Sequence, residues 1–218
     1  VNGAARICGL GAVLGNVLGV VFLRGVPSPY RPGDVSAWLT GLHAHPGPAL
    51  LSAWSFTLGL VLLAAFMVLL AVAARPARRG LFLAGVAIVA AGALLNAAGT
   101  LAPAAAVRLL PPPPDPVGEA VGRALLGLTL HLDAHFNLVL GAGLLAVNLG
   151  LGRESGVPGW LRALGLAAGL ASLPVALQWW RDGFALLLSV SGPLWLAWFA
   201  ALAVRGVTPA ASRAPASA

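Results

Sequence analysis

From Pro48 to Ala74 the chain reads PALLSAWSFTLGLVLLAAFMVLLAVAA, 27 residues without one charged side chain. A helix needs about 20 apolar residues to cross the ~30 Å hydrocarbon core of a bilayer. Five further, predominantly apolar runs lie at residues 4–23, 81–102, 129–152, 160–180 and 184–204. They are continuous rather than alternating, which excludes a lipid-facing β-barrel. Composition agrees: 59% of residues are hydrophobic and 9% charged, where a soluble domain carries about 25% charged residues. The expected fold is all-α, a polytopic membrane bundle of six transmembrane helices. A single domain is expected over residues 1–206, with a disordered cytoplasmic tail over 207–218.

Six spans put both termini on one side of the membrane, here side A. All 13 basic residues are arginines, and the formal net charge is +7. Side A receives Arg6, Arg75, Arg78, Arg79, Arg153, Arg162, Arg205 and Arg213. Side B receives Arg24, Arg31, Arg108, Arg123 and Arg181. Basic residues favour the cytoplasmic side, so both termini are expected in the cytoplasm, in a bacterial cytoplasmic membrane. The arginines stand singly or in small groups between apolar runs. That is the pattern of topology signals and headgroup contacts, not of a nucleic-acid footprint, and no nucleic-acid partner is expected. The lone Cys8 permits no internal disulfide. Residues 4–23 read as an anchor, not a cleaved signal peptide, since one arginine precedes them and no small-residue cleavage site follows.

Within the first run, Gly11, Gly15 and Gly19 form a small-residue stripe that admits a neighbouring helix closely. Gly33 and Asp34 are expected to start a short interfacial helix, with Trp38 at headgroup level. Residues 117–128 either lie along the interface or extend the fourth helix outward. Pro174 and Pro193 are expected to kink the last two spans. Trp160, Trp179 and Trp180 read as interfacial residues; Trp54, Trp195 and Trp198 read as packing residues. Asn16, Asn96 and Asn148 read as hydrogen-bonding glue between helices.

All four histidines fall on side B, at the entries of two spans that run in the same direction. His43 and His45 precede the second span; His131 and His135 open the fourth. His131 and His135 are spaced i, i+4 and share a helix face, so they can grip one ion. Asp133 lies about 200° round from His131 and joins Thr129 and Asn137 in a second polar stripe. A zinc or copper site would use His131 and His135 with His43, His45 or both. A haem b would take one axial histidine from each of two helices, His45 and His135. The plain alternative is hydrated side chains at the headgroup level. Leu42-His43-Ala44-His45 also echoes Leu132-Asp133-Ala134-His135, a faint internal repeat.

The stretches HAHPGPALLSAW and LDAHFNLVLGAG resemble the histidine-bearing entries of small bacterial haem-type membrane proteins, which are similar to part of the catalytic subunit of haem–copper oxidases. The likeness rests on Ala134, His135, Phe136, Asn137 and Leu138. It departs at Asp133, where such families carry histidine, and no helix carries the further histidines of an oxidase centre. More broadly, the six-span plan, GDVSA and VPGWLRALGLAAG resemble small bacterial multi-pass membrane proteins of unknown function, which implies no activity.

Three readings follow. The first is a membrane protein binding haem b or a metal ion through its outer histidines. The second is a cofactor-free structural or partner-binding subunit, alone, as a homo-oligomer or with another membrane protein. The third is a membrane zinc hydrolase with Glu119 as general base. No nucleophile elbow, phosphate loop or His-Glu-x-x-His motif is present, so the balance leans away from an enzyme.

Overall fold

The computed structural model describes residues 3–24, 35–110, 112, 115–152, 155–179 and 187–205. Among them there are eight α-helices and no strand: α1 (Gly3–Phe22), α2 (Val35–Ala44), α3 (Pro46–Ala73), α4 (Arg79–Thr100), α5 (Ala102–Leu109), α6 (Pro116–Leu151), α7 (Gly159–Ser172) and α8 (Leu188–Arg205). Six stretches are long and apolar enough to cross a membrane, with α4 and α5 counted together and α7 carried on by a 3₁₀ segment. Apolar runs adopt helices in lipid because no water is present to satisfy backbone N–H and C=O groups. Large apolar side chains cover the outside, among them Ile7, Leu14, Trp54 and Val72. Bilayer contact accounts for so much exposed apolar surface. The molecule is an integral membrane protein of six spans.

Lipid is as apolar as leucine, so helix association depends on close packing. The glycine stripe of α1 faces α3, as its spacing predicts. A Cβ added at Gly15 would stand 2.7 Å from Gly59 Cα and 2.8 Å from Ser55 O. Between α4 and α6 the approach is as close: a Cβ at Gly85 would stand 2.7 Å from the Gly143 carbonyl oxygen. At the other side of the bundle, a Cβ at Gly9 on α1 would stand 2.6 Å from Ala203 Cβ on α8. The first and last helices therefore begin and end at the same end of the bundle, side A.

The two halves of the bundle are filled differently. Toward side A an aromatic knot closes the core. Phe66 meets Phe199 edge-on at 6.0 Å between ring centroids, and Trp198 meets Phe199 at 4.9 Å. Backbone bonds from Ala77 N to Leu151 O and from Arg78 N to Gly150 O tie the α3–α4 loop to the end of α6. Toward side B a second, smaller apolar cluster forms from Val35, Trp38, Leu39 and Leu42 of α2, Ala106 of α5 with Leu110 at its end, and Leu126 of α6. It makes a cap over that end.

Several expectations need correction. Of the two expectations for residues 117–128, the outward extension holds: the segment is the outer third of α6, a single helix of 36 residues. At about 1.5 Å per residue that is ~54 Å, far more than the bilayer core, so α6 projects beyond it. Asp115 caps this helix, accepting the Gly118 N–H at 2.6 Å, with Pro116 in the first turn. Trp38 is not a headgroup residue but lies in the cap at 3% exposure, because α2 folds down onto α5 and α6. Trp54 is not a packing residue; it is 61% exposed on the outer face of α3. Trp195 and Trp198 are buried, and Trp160 is exposed with the Arg205 guanidinium 5.5 Å from its ring centre. At Pro174 the fifth span tightens from α into 3₁₀ geometry, whereas α8 stays a single α-helix through Pro193. The 207–218 tail, the start of the sixth run at 184, Gly33, Asp34 and Trp180 lie outside the described residues.

Candidate functional site

Thr129, Asp133 and Asn137 recur every four residues on α6, one face of that helix, and the face turns inward. Asn16 on α1 and Asn96 with Thr100 on α4 come to it from the neighbouring helices. With apolar residues around them they line a cavity of about 630 Å³ in the side B half, beneath the cap. Trp38 and Leu42 roof it, while Phe56, Phe136 and Trp195 contribute aromatic wall. Its volume lies within the roughly 300–1,000 Å³ of small-molecule sites. Val17, Val20 and Val21 of α1 and Ser189 and Pro193 of α8 line it and are exposed. Among the described residues, the cavity therefore opens sideways between the outer halves of α1 and α8, which close on one another only toward side A.

Hydroxyl groups fix the helices around this space. Ser52 Oγ donates to the Gly19 carbonyl at 2.9 Å, joining α3 to α1. The hydroxyls of Thr57 and Thr100 lie 2.9 Å apart, joining α3 to α4. Thr129 Oγ1 donates to the Gly99 carbonyl at 3.2 Å, joining α6 to α4.

The asparagines do not act as the expected glue. Asn16 Nδ2 donates to Ala12 O at 2.8 Å and Asn148 Nδ2 to Leu144 O at 2.8 Å, each within its own helix. Asn137 Nδ2 donates to Asp133 O at 2.9 Å and reaches the Asp133 carboxylate at 3.3 Å. Asn96 is 6% exposed and lines the cavity, and no group among the described residues hydrogen-bonds its side chain. A carboxamide offers two donors and an acceptor oxygen.

The histidines are placed differently from the expectation. The Thr57–Thr100 and Thr129–Gly99 contacts set a common level across α3, α4 and α6. His45 stands twelve residues toward side B from that level and His135 six residues toward side A. At about 1.5 Å per residue they are ~27 Å apart along the bundle, too far to share an iron or zinc ion. The sequence placed both at helix entries; His45 does precede α3, but His135 is midway along α6 because that helix starts at Pro116. His43 has Nδ1 2.8 Å from Leu39 O and Nε2 2.8 Å from Leu110 O. Both ring nitrogens face carbonyl oxygens, and the side chain clamps α2 to the end of α5. His131 and His135 are exposed on the outer face of α6, with His135 Nδ1 2.7 Å from His131 O. Among the described residues, no three His, Cys, Asp or Glu side chains gather into a metal-holding group. Glu119 lies about three turns outward of His131 on the same helix, so the hydrolase arrangement is not assembled either.

The chain matches, over residues 7–206, the family model described as a domain of unknown function, DUF4386. That match spans nearly all of the six-helix region, and the chain belongs to this family. No curated protein matches the chain, and no solved structure does. The family agrees with the broad resemblance to multi-pass membrane proteins of unknown function; the likeness to haem–copper oxidase subunits finds no counterpart.

Proposed function

We propose that this DUF4386 protein is a cofactor-free membrane protein that binds one small amphiphilic molecule in the capped cavity and takes it up sideways from the bilayer. One observation carries the reading: an apolar cavity of about 630 Å³ whose inner wall holds a band of amide, hydroxyl and carboxylate groups. Ligand sites are mostly apolar, with a few placed polar groups fixing orientation. Polar groups at membrane depth that face a cavity mark ligand pathways by default. The test is equilibrium binding of 1-aminoanthracene, a small apolar fluorophore, to the purified protein. Saturable single-site binding is expected, with its loss in Ala53→Trp, which fills the cavity from α3, while helix content is kept. Identical non-saturable partitioning into both proteins contradicts the reading.

The orientation belongs to the same proposal. Among the described residues the side A end carries Arg6, Arg75, Arg78, Arg79, Arg162 and Arg205 against Arg24, Arg108 and Arg123 on side B. Both termini then face the cytoplasm of a bacterial cytoplasmic membrane and the cap faces out. A reporter active only in the cytoplasm, fused after Ala218, works in this orientation; a silent fusion on an expressed protein reverses it.

A second reading keeps metal or haem binding at His131 and His135 alone. The observation favouring it is the His135 Nδ1 contact with its own helix, since an N–H held by a carbonyl leaves Nε2 as the ligand atom. Elemental analysis and the visible spectrum of the purified protein test it: bound metal or a haem band lost in His135→Ala supports it, and a colourless, metal-free protein ends it.

A further inference from the structure

We infer that the cavity recognises its occupant by an uncharged hydroxyl or carbonyl group, held by Asn96 with Asn16 and Asn137 while the apolar remainder lies along the aromatic wall. This inference rests on the amphiphile-binding reading above and adds to it the chemistry of the polar group.

Asn96 supplies the first argument. Its side chain is 6% exposed, lines the cavity and has no hydrogen-bond partner among the described residues. A buried carboxamide that spends none of its capacity inside the protein is directed at something that enters. Asn16 and Asn137 are buried to a similar degree and line the same cavity. Their Nδ2 groups are engaged by backbone oxygens within their own helices, and their Oδ1 atoms are left as acceptors. The three side chains come from α1, α4 and α6, so they approach one polar group from different directions.

The register of the helices supplies the second argument. A Cβ at Gly99 would touch Leu132, which puts Asn96 level with residues near 135 on α6, between Asp133 and Asn137. A Cβ at Gly15 would touch Gly59, and Thr57 meets Thr100, which brings Asn16 to within a turn of the same level. The amides form one band and are not scattered along the cavity.

Charge decides the class of ligand. The formal charges among the lining residues are Arg24 and Asp133, one of each sign. The Asp133 carboxylate already receives Asn137 Nδ2, and Arg24 follows α1 at the outer rim. The lining as a whole thus carries no net formal charge, and the inner band offers amide donors and acceptors around one carboxylate that is already hydrogen-bonded. Carboxamides pair with hydroxyl and carbonyl groups in both senses. A charged headgroup would have to leave water for a band whose single carboxylate repels an anion and, for a cation, is already engaged by Asn137 Nδ2.

The experiment uses the full chain in lipid nanodiscs and a photoreactive monoacylglycerol, which has hydroxyl and ester carbonyl groups on one acyl chain. Labelled residues are mapped by mass spectrometry, and labelling is competed with unlabelled monoacylglycerol, the matching fatty acid anion, the matching long-chain alkylammonium and a hydrocarbon. Labelling on cavity-facing residues of α1, α6 or α8 is expected, with the neutral monoacylglycerol the strongest competitor. In Asn96→Leu, and separately in Asn96→Ala, its advantage over the hydrocarbon should fall about tenfold, the loss of a hydrogen bond or two, with thermal stability checked in each. Cavity labelling in which hydrocarbon competes as well as monoacylglycerol, or in which both Asn96 variants keep the advantage, overturns the inference and leaves amphiphile binding intact. Stronger competition by the fatty acid or the ammonium also overturns it. Absence of any cavity labelling removes the binding reading itself.

Discussion

At Gly15 the absence of a side chain sets how near α1 can come to α3. A Cβ there would stand 2.7 Å from Gly59 Cα, and the atom in the way is backbone, which cannot rotate aside. Gly15→Leu is therefore expected to destabilise the detergent-solubilised protein by ~2 kcal/mol or more, as overpacking does. A thermal melt reads it; an unchanged melting temperature means that the stripe does not hold the two helices together. The stripe was legible in the sequence because four-residue spacing of glycine has one structural meaning in a bilayer. So was the face shared by Thr129, Asp133 and Asn137, which follows from helix periodicity alone. What those three residues face was not legible, because helix periodicity assigns residues to a face without saying which neighbours enclose it.

Individual elements misled where their ends could not be read. The sequence of α6 carries Glu119 and Arg123 early, so the apolar run suggests a start near Thr129; the cap by Asp115 and the proline after it begin the helix much earlier. That shift is what moved His135 from a helix entry to mid-helix and separated it from His45. The short α2 was expected from its sequence, but its role as a roof was not, because burial of Trp38 depends on α5 and α6 folding beneath it. His43 holds this roof through carbonyl oxygens on both sides. A neutral imidazole has one N–H to donate, so removing the ring loses one hydrogen bond, about 1 kcal/mol, and acts on the cap alone. His43→Ala is expected to raise amide hydrogen exchange in α2 by about fivefold, with the side A half of α3 and α6 unchanged. Uniform change along the chain, or none in α2, contradicts the clamp.

Across the molecule the two halves have different tasks. The side A half is closed by Phe66, Trp198 and Phe199, and the side B half keeps an opening that these rings do not reach. Six spans were evident from hydropathy because lipid imposes its thickness on every helix. The cavity was not, since it depends on α1 and α8 meeting at Gly9 and Ala203 and parting beyond. Asn16 and Asn96 held the available signal: two buried amides toward the same end on separate helices, which is where a shared polar wall forms. Whether this wall holds a molecule is read by native mass spectrometry of the protein released from detergent. A population heavier than the bare chain by the mass of one amphiphile is expected, with its loss in Ala53→Trp. The bare mass alone in the wild-type protein, or an adduct that Ala53→Trp retains unchanged, contradicts binding there.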